Sequence, residues 1–344
     1  MILIAAACLA CQSPEPYFDV QTVAKDVYAI VRKEPIGLAV DSNVLLIVNE
    51  TDVVMVDANI GPESATATLA ALAKITNKPI STIIATHYHD DHMGGVETVR
   101  RKFPNLKLIA HESAPASIEK LLKPARASMI KSGPDMAEYL KGMLDKGTGF
   151  TNKPITDEER AEMTNDIRLA NRYAKEMASI PLPVPTDLVK KNMTLKQGGR
   201  TIEIKFVGEG HTPSDLIVWL PKERVVAVGD LVVCPVPLVG GDQSNVPAWS
   251  KTLAKVRELK FTTLLPGHGP VMHNDSFLKK LETLFTTITK EVQAKKKAGK
   301  SLDDLKNNLA FPDLKKEFCG DSIVRRILFE NYVRQPAIVS AFTH

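Results

Sequence analysis

The feature that most constrains this 344-residue chain is a dense cluster of histidines and aspartates that directly follows the apolar run Ile80–Ala85. Three of the eight histidines and two aspartates fall between His87 and His92. His87 and His89 are two positions apart, so in extended backbone their rings point to the same side. Asp91 and His92 follow where the chain should turn, which lets them face a neighbouring cation. Imidazole nitrogen and carboxylate oxygen are typical ligands of zinc, and iron and manganese also accept them.

Later segments of the chain repeat one form, in which an apolar strand ends in a ligand-type residue. Such residues gather along one rim of an αβ sandwich, and the glycines beside them allow close backbone approach. Taken singly, each would more often be a turn or capping residue, so the prediction depends on their combination with the cluster. These residues are His211, Asp230 and His268, after the runs Thr201–Val207, Val225–Val228 and Thr262–Leu265.

The combined motifs resemble those of the metallo-β-lactamase superfamily. The run from His87 to His92 matches the signature His-x-His-x-Asp-His, and the usual glycine pair Gly94-Gly95 follows it. The resemblance runs from about Val27 to about Val271 and implies an α/β fold, a four-layer αββα sandwich. The later motifs match in the expected order: Gly210-His211-Thr212, Gly229-Asp230 and Gly267-His268-Gly269.

The resemblance also implies a set of metal ligands. Two zinc ions are the implied cofactors, with iron or manganese as alternatives. The first ion would be held by His87, His89 and His211. The second would be held by Asp91, His92 and His268, and Asp230 would bridge both.

The implied chemistry is hydrolysis of a small molecule. A hydroxide shared by the two ions would cleave an ester, thioester, lactone or amide bond. Asp91 is the expected catalytic residue, because it could orient that nucleophile and accept its proton. Thr86, Thr212 and Asp215 are candidates to fix the histidine tautomers.

Further functions of the superfamily remain open at this stage. A β-lactam hydrolase fits less well, because true metallo-β-lactamases generally have cysteine or serine near the position of Asp230. Cys234 lies four residues further on and does not align with it. The chain could also be a single-iron sulfur dioxygenase or an accessory protein of a cofactor-maturation system.

Composition and the N-terminus bear on partners and location. With 44% hydrophobic and 24% charged residues and a net charge of +4, the chain is typical of a globular protein, and no nucleic-acid partner is expected. The apolar segment Met1–Cys11 is too short to span a bilayer and resembles a secretory or lipoprotein signal. We therefore expect a periplasmic or cell-envelope protein, with membrane attachment through an N-terminal lipid as one form and a cytoplasmic location as the alternative.

The predicted organisation is a signal-like segment and linker at residues 1–20 and one domain at residues 21–344. That domain carries a helical insertion at residues 113–195 and a C-terminal helical extension at residues 275–344. The insertion should contain helices at Asp135–Leu144 and Asp157–Met177, interrupted upstream at Gly133-Pro134. It could be a lid over the substrate pocket. Two aromatic residues remain candidate pocket residues, with packing roles as the alternative: His111 and Trp249.

Overall fold

The described part of the chain is built as two stacked β-sheets covered by helices on both outer sides. The computed structural model describes residues 17–35, 37 and 40–344, so the apolar segment Met1–Cys11 predicted as a signal lies outside the described residues. Within the described ranges, no helix is both long and apolar enough to cross a membrane. The four-layer αββα sandwich expected from the sequence is confirmed.

The first sheet has seven strands among the described residues, in the sequential order β1 to β7. Strands β1 to β4 pair antiparallel, and β4 to β7 pair parallel. The strands are β1 Phe18–Ala24, β2 Val27–Arg32, β3 Val44–Val48, β4 Val53–Val56, β5 Ile80–Ile84, β6 Lys107–His111 and β7 Asp187–Val189.

The second sheet has five strands among the described residues, in the order β12-β11-β10-β9-β8. Strands β11 and β12 pair parallel, and the other neighbours pair antiparallel. The strands are β8 Asn192–Gln197, β9 Arg200–Phe206, β10 Leu216–Leu220, β11 Val225–Ala227 and β12 Thr263–Leu265.

The central strands are apolar throughout because both of their faces are covered. In β3, Leu45 and Ile47 pack between the two sheets, whereas Val44 and Leu46 face the outer helices. Successive side chains of a strand point to opposite faces, so a strand buried on both sides needs a continuous apolar run. Fully burying each such side chain contributes about 1.5–3 kcal/mol.

The helices form the outer layers of the sandwich, most of the insertion at residues 113–195 and the C-terminal extension at residues 275–344. Helices α1 and α3 pack on the first sheet, and α7 and α8 pack on the second. Their bounds are α1 Pro62–Ile75, α2 Asp90–Met93, α3 Val96–Lys102, α4 Ala114–Ser117, α5 Lys123–Asp145, α6 Asp157–Met177, α7 Val246–Glu258, α8 Ser276–Lys297, α9 Leu302–Asn308, α10 Pro312–Cys319, α11 Ile323–Phe329 and α12 Gln335–Thr343.

The segment predicted as a helical insertion is helical only in its first part. Helix α6 begins where a capping box forms, in which Thr156 and Glu159 satisfy each other's backbone N–H groups. After α6 ends, the chain returns as β7 and β8, which belong to different sheets. The helical part of residues 113–195 therefore ends at Met177.

The predicted interruption at Gly133-Pro134 is wrong. Helix α5 runs through this dipeptide without a break. A proline inside a helix removes one backbone hydrogen bond and crowds the preceding turn. Extensive packing of α5 along α6 offsets this local cost. Glycine and proline positions in the sequence do not by themselves reveal such a contribution from tertiary packing.

A buried carboxyl group in α6 makes the stability of this segment depend on pH. The Glu162 side chain is buried, and its Oε1 atom has no hydrogen-bond partner among the described residues. Burial, and then the nearby carboxylates of Asp166 and Glu158, raise the pKa of Glu162 to about 8. The folded protein therefore retains this proton to higher pH than the unfolded chain does.

Glu162→Gln should remove this pH dependence. In the wild type, the contribution of Glu162 to stability is complete below about pH 4.5 and is lost as pH rises towards 8. The variant should match the wild type at pH 4.5 and exceed its free energy of unfolding at pH 8 by roughly 2–4 kcal/mol. Denaturant unfolding at both pH values measures this. The exposed control Glu138→Gln should keep the wild-type difference, and a variant as pH-dependent as the wild type would contradict the assignment.

Candidate metal centre

The candidate ligands meet because several strands end at the same rim of the sandwich. In the first sheet, β4, β5 and β6 run parallel, and the histidine cluster follows β5. In the second sheet, β9, β11 and β12 point the same way, and one candidate ligand follows each of them. A hydrogen bond 2.8 Å long from Asn43 N to Gly267 O joins the two sheets at this rim. Three connections thus deliver His211, Asp230 and His268 to the cluster.

The first group of candidate ligands is His87, His89 and His211, whose ligand atoms lie within 4.8 Å of one another. His211 Nε2 is 3.1 Å from His89 Nδ1. Tetrahedral coordination at the usual zinc–nitrogen distance separates neighbouring ligand atoms by about 3.3 Å. The spacing of this pair therefore suits two ligands of one cation.

The second group consists of Asp91, His92, Asp230 and His268. Asp91 Oδ2 lies 3.2 Å from His92 Nε2 and 3.0 Å from His268 Nε2. Asp230 turns Oδ1 towards the same two rings, at 3.1 and 3.3 Å. Its other oxygen, Oδ2, is 3.5 Å from Nε2 of His211 in the first group. The Asp230 carboxylate thus stands between the two groups.

Several ligand-type atoms of the two groups are buried without a hydrogen bond. Among the described residues, these atoms are Nε2 of His87, Nε2 of His92, Nε2 of His268 and Oδ1 of Asp230. A buried polar atom without a partner costs free energy comparable to a lost hydrogen bond. Four such atoms lie close together here, and bound cations would supply the partners that they lack. The set of donor atoms therefore suits a two-metal site.

The Asp57 carboxylate orients two of the histidines. It accepts hydrogen bonds from Thr86 N at 2.8 Å and Thr86 Oγ1 at 2.9 Å, and His92 Nδ1 donates to it at 2.8 Å. Because the Thr86 hydroxyl donates to Asp57, it accepts from His87 Nδ1 at 3.1 Å. Both rings are therefore held with Nε2 directed at the candidate metal positions.

Backbone carbonyls orient two further histidines in the same way. His211 Nδ1 donates to Leu238 O at 2.7 Å, and His268 Nδ1 donates to Asp41 O at 3.1 Å. The loop that carries His268 is also held by the Asn43 side chain, which donates to Pro266 O at 3.0 Å. Each ring thus keeps Nε2 available.

A glycine is required at position 267 because the backbone there passes very close to the Asp230 carboxylate. A Cβ atom at this position would lie 1.9 Å from Asp230 Oδ1. Any other residue would displace the carboxylate that stands between the two groups, so the glycine before His268 has a steric role.

Two rings of the first group, His87 and His89, are held in the neutral form by their surroundings. Burial lowers the pKa of His87 well below its usual value, and the rings of His92 and His89 lower it further. Burial and then the ring of His211 lower the pKa of His89 to about 3. Neutral imidazole is the form that binds metal, so a cation displaces no proton from these two rings.

The second group carries paired charges. Burial opposes charge on His92 and His268, but neighbouring carboxylates outweigh it. Asp91 and Asp57 are the main groups that raise the pKa of His92 well above its usual value. Asp230 is the main group that raises the pKa of His268 to about 10. A cation bound here would displace protons from both rings, so its binding is coupled to pH.

Other residues singled out in the sequence lie elsewhere or act differently. His111 stacks on Phe206 with 4.4 Å between ring centroids and belongs to neither ligand group. Trp249 is fully buried, stacks on Phe285 and donates Nε1 to Leu231 O, so it is a core aromatic.

Of the three candidate tautomer-fixing residues, only Thr86 contacts a ligand ring. Thr212 donates its backbone N–H and its hydroxyl to Asp215, so these two stabilise the loop after His211. Cys234 and Cys319 are both free thiols.

Sequence reasoning missed the residues that support the ligands. Asp57 ends the apolar strand β4 and so repeats the strand-then-acid form that identified Asp230; that signal could have revealed it. Asp90 lies inside the signature, where its carboxylate is buried against Arg126 of α5 and Tyr173 of α6. These partners are far apart in sequence, so no local sequence pattern predicts their contact.

Comparison with known proteins agrees with the fold. The family model described as the metallo-beta-lactamase superfamily matches residues 37–268, more than half of the chain. Among curated proteins, a linear primary-alkylsulfatase of Pseudomonas sp. is 22% identical over 63% of this chain and 39% of its own length. A type 2 metallo-beta-lactamase of Bacillus cereus is 24% identical over 72% of this chain and 75% of its own length.

Solved structures show the same fold. A stereoselective inverting sec-alkylsulfatase from Pseudomonas sp. has a TM-score of 0.64 at 16% identity, covering 95% of this chain and 50% of that protein. A metallo-beta-lactamase from Pontibacter korlensis has a TM-score of 0.55 at 17% identity, covering 78% of this chain and 99% of that protein. The chain thus spans half or less of the alkylsulfatases it matches. With its αββα sandwich, its histidine–aspartate centre and the match over residues 37–268, the chain belongs to the metallo-beta-lactamase superfamily.

Proposed function

We propose that this protein is a dinuclear zinc hydrolase that cleaves an ester, thioester, lactone or amide bond of a small molecule. One observation carries the proposal: two ligand groups share the Asp230 carboxylate, and four of their buried atoms have no hydrogen-bond partner among the described residues. Nitrogen and carboxylate ligands in near-tetrahedral spacing favour zinc, with iron or manganese as the alternatives.

Each candidate ligand has a proposed role. Two divalent cations, when bound, supply an acidified water and polarise the substrate oxygen. Three residues hold the first cation: His87, His89 and His211. Three residues hold the second, and Asp230 contacts both: Asp91, His92 and His268.

Asp91 is the proposed catalytic residue. It is one of two partly exposed members of the centre, with 15% of its side chain accessible, whereas His92 beside it is fully buried. Burial acts against its charge, but the rings of His92 and His268 lower the pKa of Asp91 well below the usual value. Its carboxylate is therefore ionised at neutral pH and can orient an attacking water by accepting a hydrogen bond from it.

A sulfate ester is the second candidate substrate. The alkylsulfatase structure covers 95% of this chain, whereas the β-lactamase structure covers 78%. A β-lactam is less favoured, because Asp230 lies where true metallo-β-lactamases generally carry cysteine or serine.

Reaction class and cellular location are also proposals. A single-iron sulfur dioxygenase and an accessory role in cofactor maturation are the alternatives to hydrolysis. We also propose that the protein acts in the periplasm or cell envelope on a small molecule and binds no nucleic acid. The apolar segment Met1–Cys11 supports this location.

Metal analysis with a substrate panel tests the proposed class. The purified full chain should contain close to two zinc ions, and removing them should abolish hydrolysis, because the metal-bound water is the proposed nucleophile. The panel comprises p-nitrophenyl acetate and octanoate, S-lactoylglutathione, a homoserine lactone, nitrocefin and p-nitrophenyl sulfate. One iron per chain with no hydrolysis would favour the dioxygenase. Hydrolysis of the sulfate alone would favour the second candidate.

Asp230→Ala should lower metal content and activity together. The substitution removes the carboxylate that faces both groups and leaves the rings of His92 and His268 without that partner. We expect fewer than two metal ions per chain and at least a 100-fold loss of kcat/KM. Asp242→Ala, an exposed acid in a nearby loop, is the control and should retain both properties. Unchanged metal content in Asp230→Ala would exclude a bridging role.

Asp57→Asn tests whether the acid behind the ligands positions them. An asparagine fills the same space but cannot accept all three hydrogen bonds from Thr86 and His92. Zinc affinity of the second group should fall about 10- to 100-fold, as measured by competition with a chelator. The exposed control Asp19→Asn should bind zinc normally. An affinity equal to the wild type in Asp57→Asn would show that Asp57 serves the fold alone.

A further inference from the structure

A cavity of about 210 Å³ lies between the candidate metal centre and helices α5 and α6. It reaches the centre at His89 and Asp91, the two members of the ligand groups that are partly exposed. Most of its remaining wall is apolar and includes Ile60 and Leu122, the residue just before α5. Side chains of the two helices complete it: Ala125, Met129, Leu169 and Ala170.

The polar groups in the cavity wall are paired with one another. The Asp90 carboxylate accepts hydrogen bonds from Arg126 Nε at 2.8 Å and from the Tyr173 hydroxyl. Arg126 also donates Nη1 to Ile180 O at 2.9 Å. The charges of the wall therefore neutralise one another. An apolar ligand can bind here without depriving Asp90, Arg126 or Tyr173 of a hydrogen bond.

A second cavity of about 240 Å³ shares three lining residues with the first, Val40, His89 and Asp91. It extends the other way, past His211 and Asp230, to the loop Leu238–Gly240. The candidate metal centre therefore lies where two cavities join. A substrate whose scissile bond is at His89 and Asp91 extends in both directions, and only the first cavity is enclosed by α5 and α6.

We propose that the cavity beside α5 and α6 binds an apolar acyl or alkyl group of about six to eight carbon atoms next to the scissile bond. An apolar cavity of about 150 Å³ in another protein holds benzene, so 210 Å³ holds roughly eight carbon atoms. This inference rests on the proposed hydrolase function and names its substrate class: a carboxylic or sulfate ester with a medium-length chain.

A chain-length series measures this cavity. On p-nitrophenyl esters with acyl chains of 2, 4, 8 and 12 carbon atoms, kcat/KM should rise by at least about tenfold from the shortest ester to the eight-carbon one and gain nothing beyond it. Each methylene buried from water contributes at most about a fourfold gain. A flat series in an active enzyme would overturn the inference.

Ala125→Phe fills the cavity from its rim, and Ala127→Phe is the matched control. Both alanines are exposed on α5, but only Ala125 lines the cavity. Ala125→Phe should lower the ratio of kcat/KM on the eight-carbon ester to kcat/KM on the acetate by about tenfold, whereas Ala127→Phe should keep the wild-type ratio. Ala125→Leu provides a smaller filling step if the phenylalanine variant folds poorly by circular dichroism.

Binding of 1-octanol separates the inference from the proposed function. The full zinc-loaded chain should bind 1-octanol by calorimetry, and Ala125→Phe but not Ala127→Phe should weaken that binding at least tenfold. If no substrate is hydrolysed but this pattern holds, the cavity assignment stands and the hydrolase proposal fails. If esters are hydrolysed and octanol binding and chain-length preference are the same in both variants, the cavity assignment fails and the hydrolase stands.

Discussion

The structure depends on one electrostatic constraint, the gathering of seven ionisable side chains, five of them buried, at a single place on the rim of the sandwich. Taking charges out of water is costly unless each one finds a partner. The histidines and aspartates here satisfy one another only in part, and Asp230 Oδ1 and the Nε2 atoms of three rings have no hydrogen bond among the described residues. Cations are the partners that this set of atoms lacks. The rest of the fold holds the set in place.

The sandwich provides this support by aligning the ends of its strands. The residues that follow parallel strands lie at one edge of a sheet. The buried strands β5, β11 and β12 therefore hold the ligands that follow them in fixed positions. Asp57, Thr86 and the carbonyls of Leu238 and Asp41 then fix the rings from behind. These supporting contacts come from segments far apart in sequence, and a loop alone could not hold the rings so closely.

Helices α5 and α6 contribute to the same support. Arg126 and Tyr173 clamp Asp90, the residue between His89 and Asp91. Arg172 of α6 approaches the Asp41 carboxylate, and the carbonyl of Asp41 orients His268. Removing one partner from a buried ion pair costs several kcal/mol. The helices that enclose the apolar cavity are therefore also coupled to the ligand loops, so the shape of the pocket and the geometry of the centre are linked.

Much of the architecture could be predicted from local patterns. The bounds of α6 follow from helical spacing and its capping box, and the apolar strands follow from continuous β-branched runs. Strand β1 was not predicted, because its burial is irregular along its length. The interruption expected at Pro134 was wrong, because packing of α5 on α6 outweighs the lost backbone hydrogen bond. Asp57 carried the same strand-then-acid signal as Asp230 and was overlooked, whereas Arg126 could not be assigned, because its role depends on a contact 36 residues away in sequence.

The sequence by itself determined the ligand types, their order along the chain and the family. These properties can be read from short motifs, because each motif contains its metal-ligand residues within a few consecutive positions. Only the tertiary structure decided which atom of each ring is free, which oxygen of Asp230 faces which group, and where a substrate can extend. These properties depend on hydrogen bonds and cavities formed between distant segments, and no local pattern encodes them. The cluster from His87 to His92 predicted a metal, and the folded chain supplied the second half of each ligand group and the apolar cavity beside it.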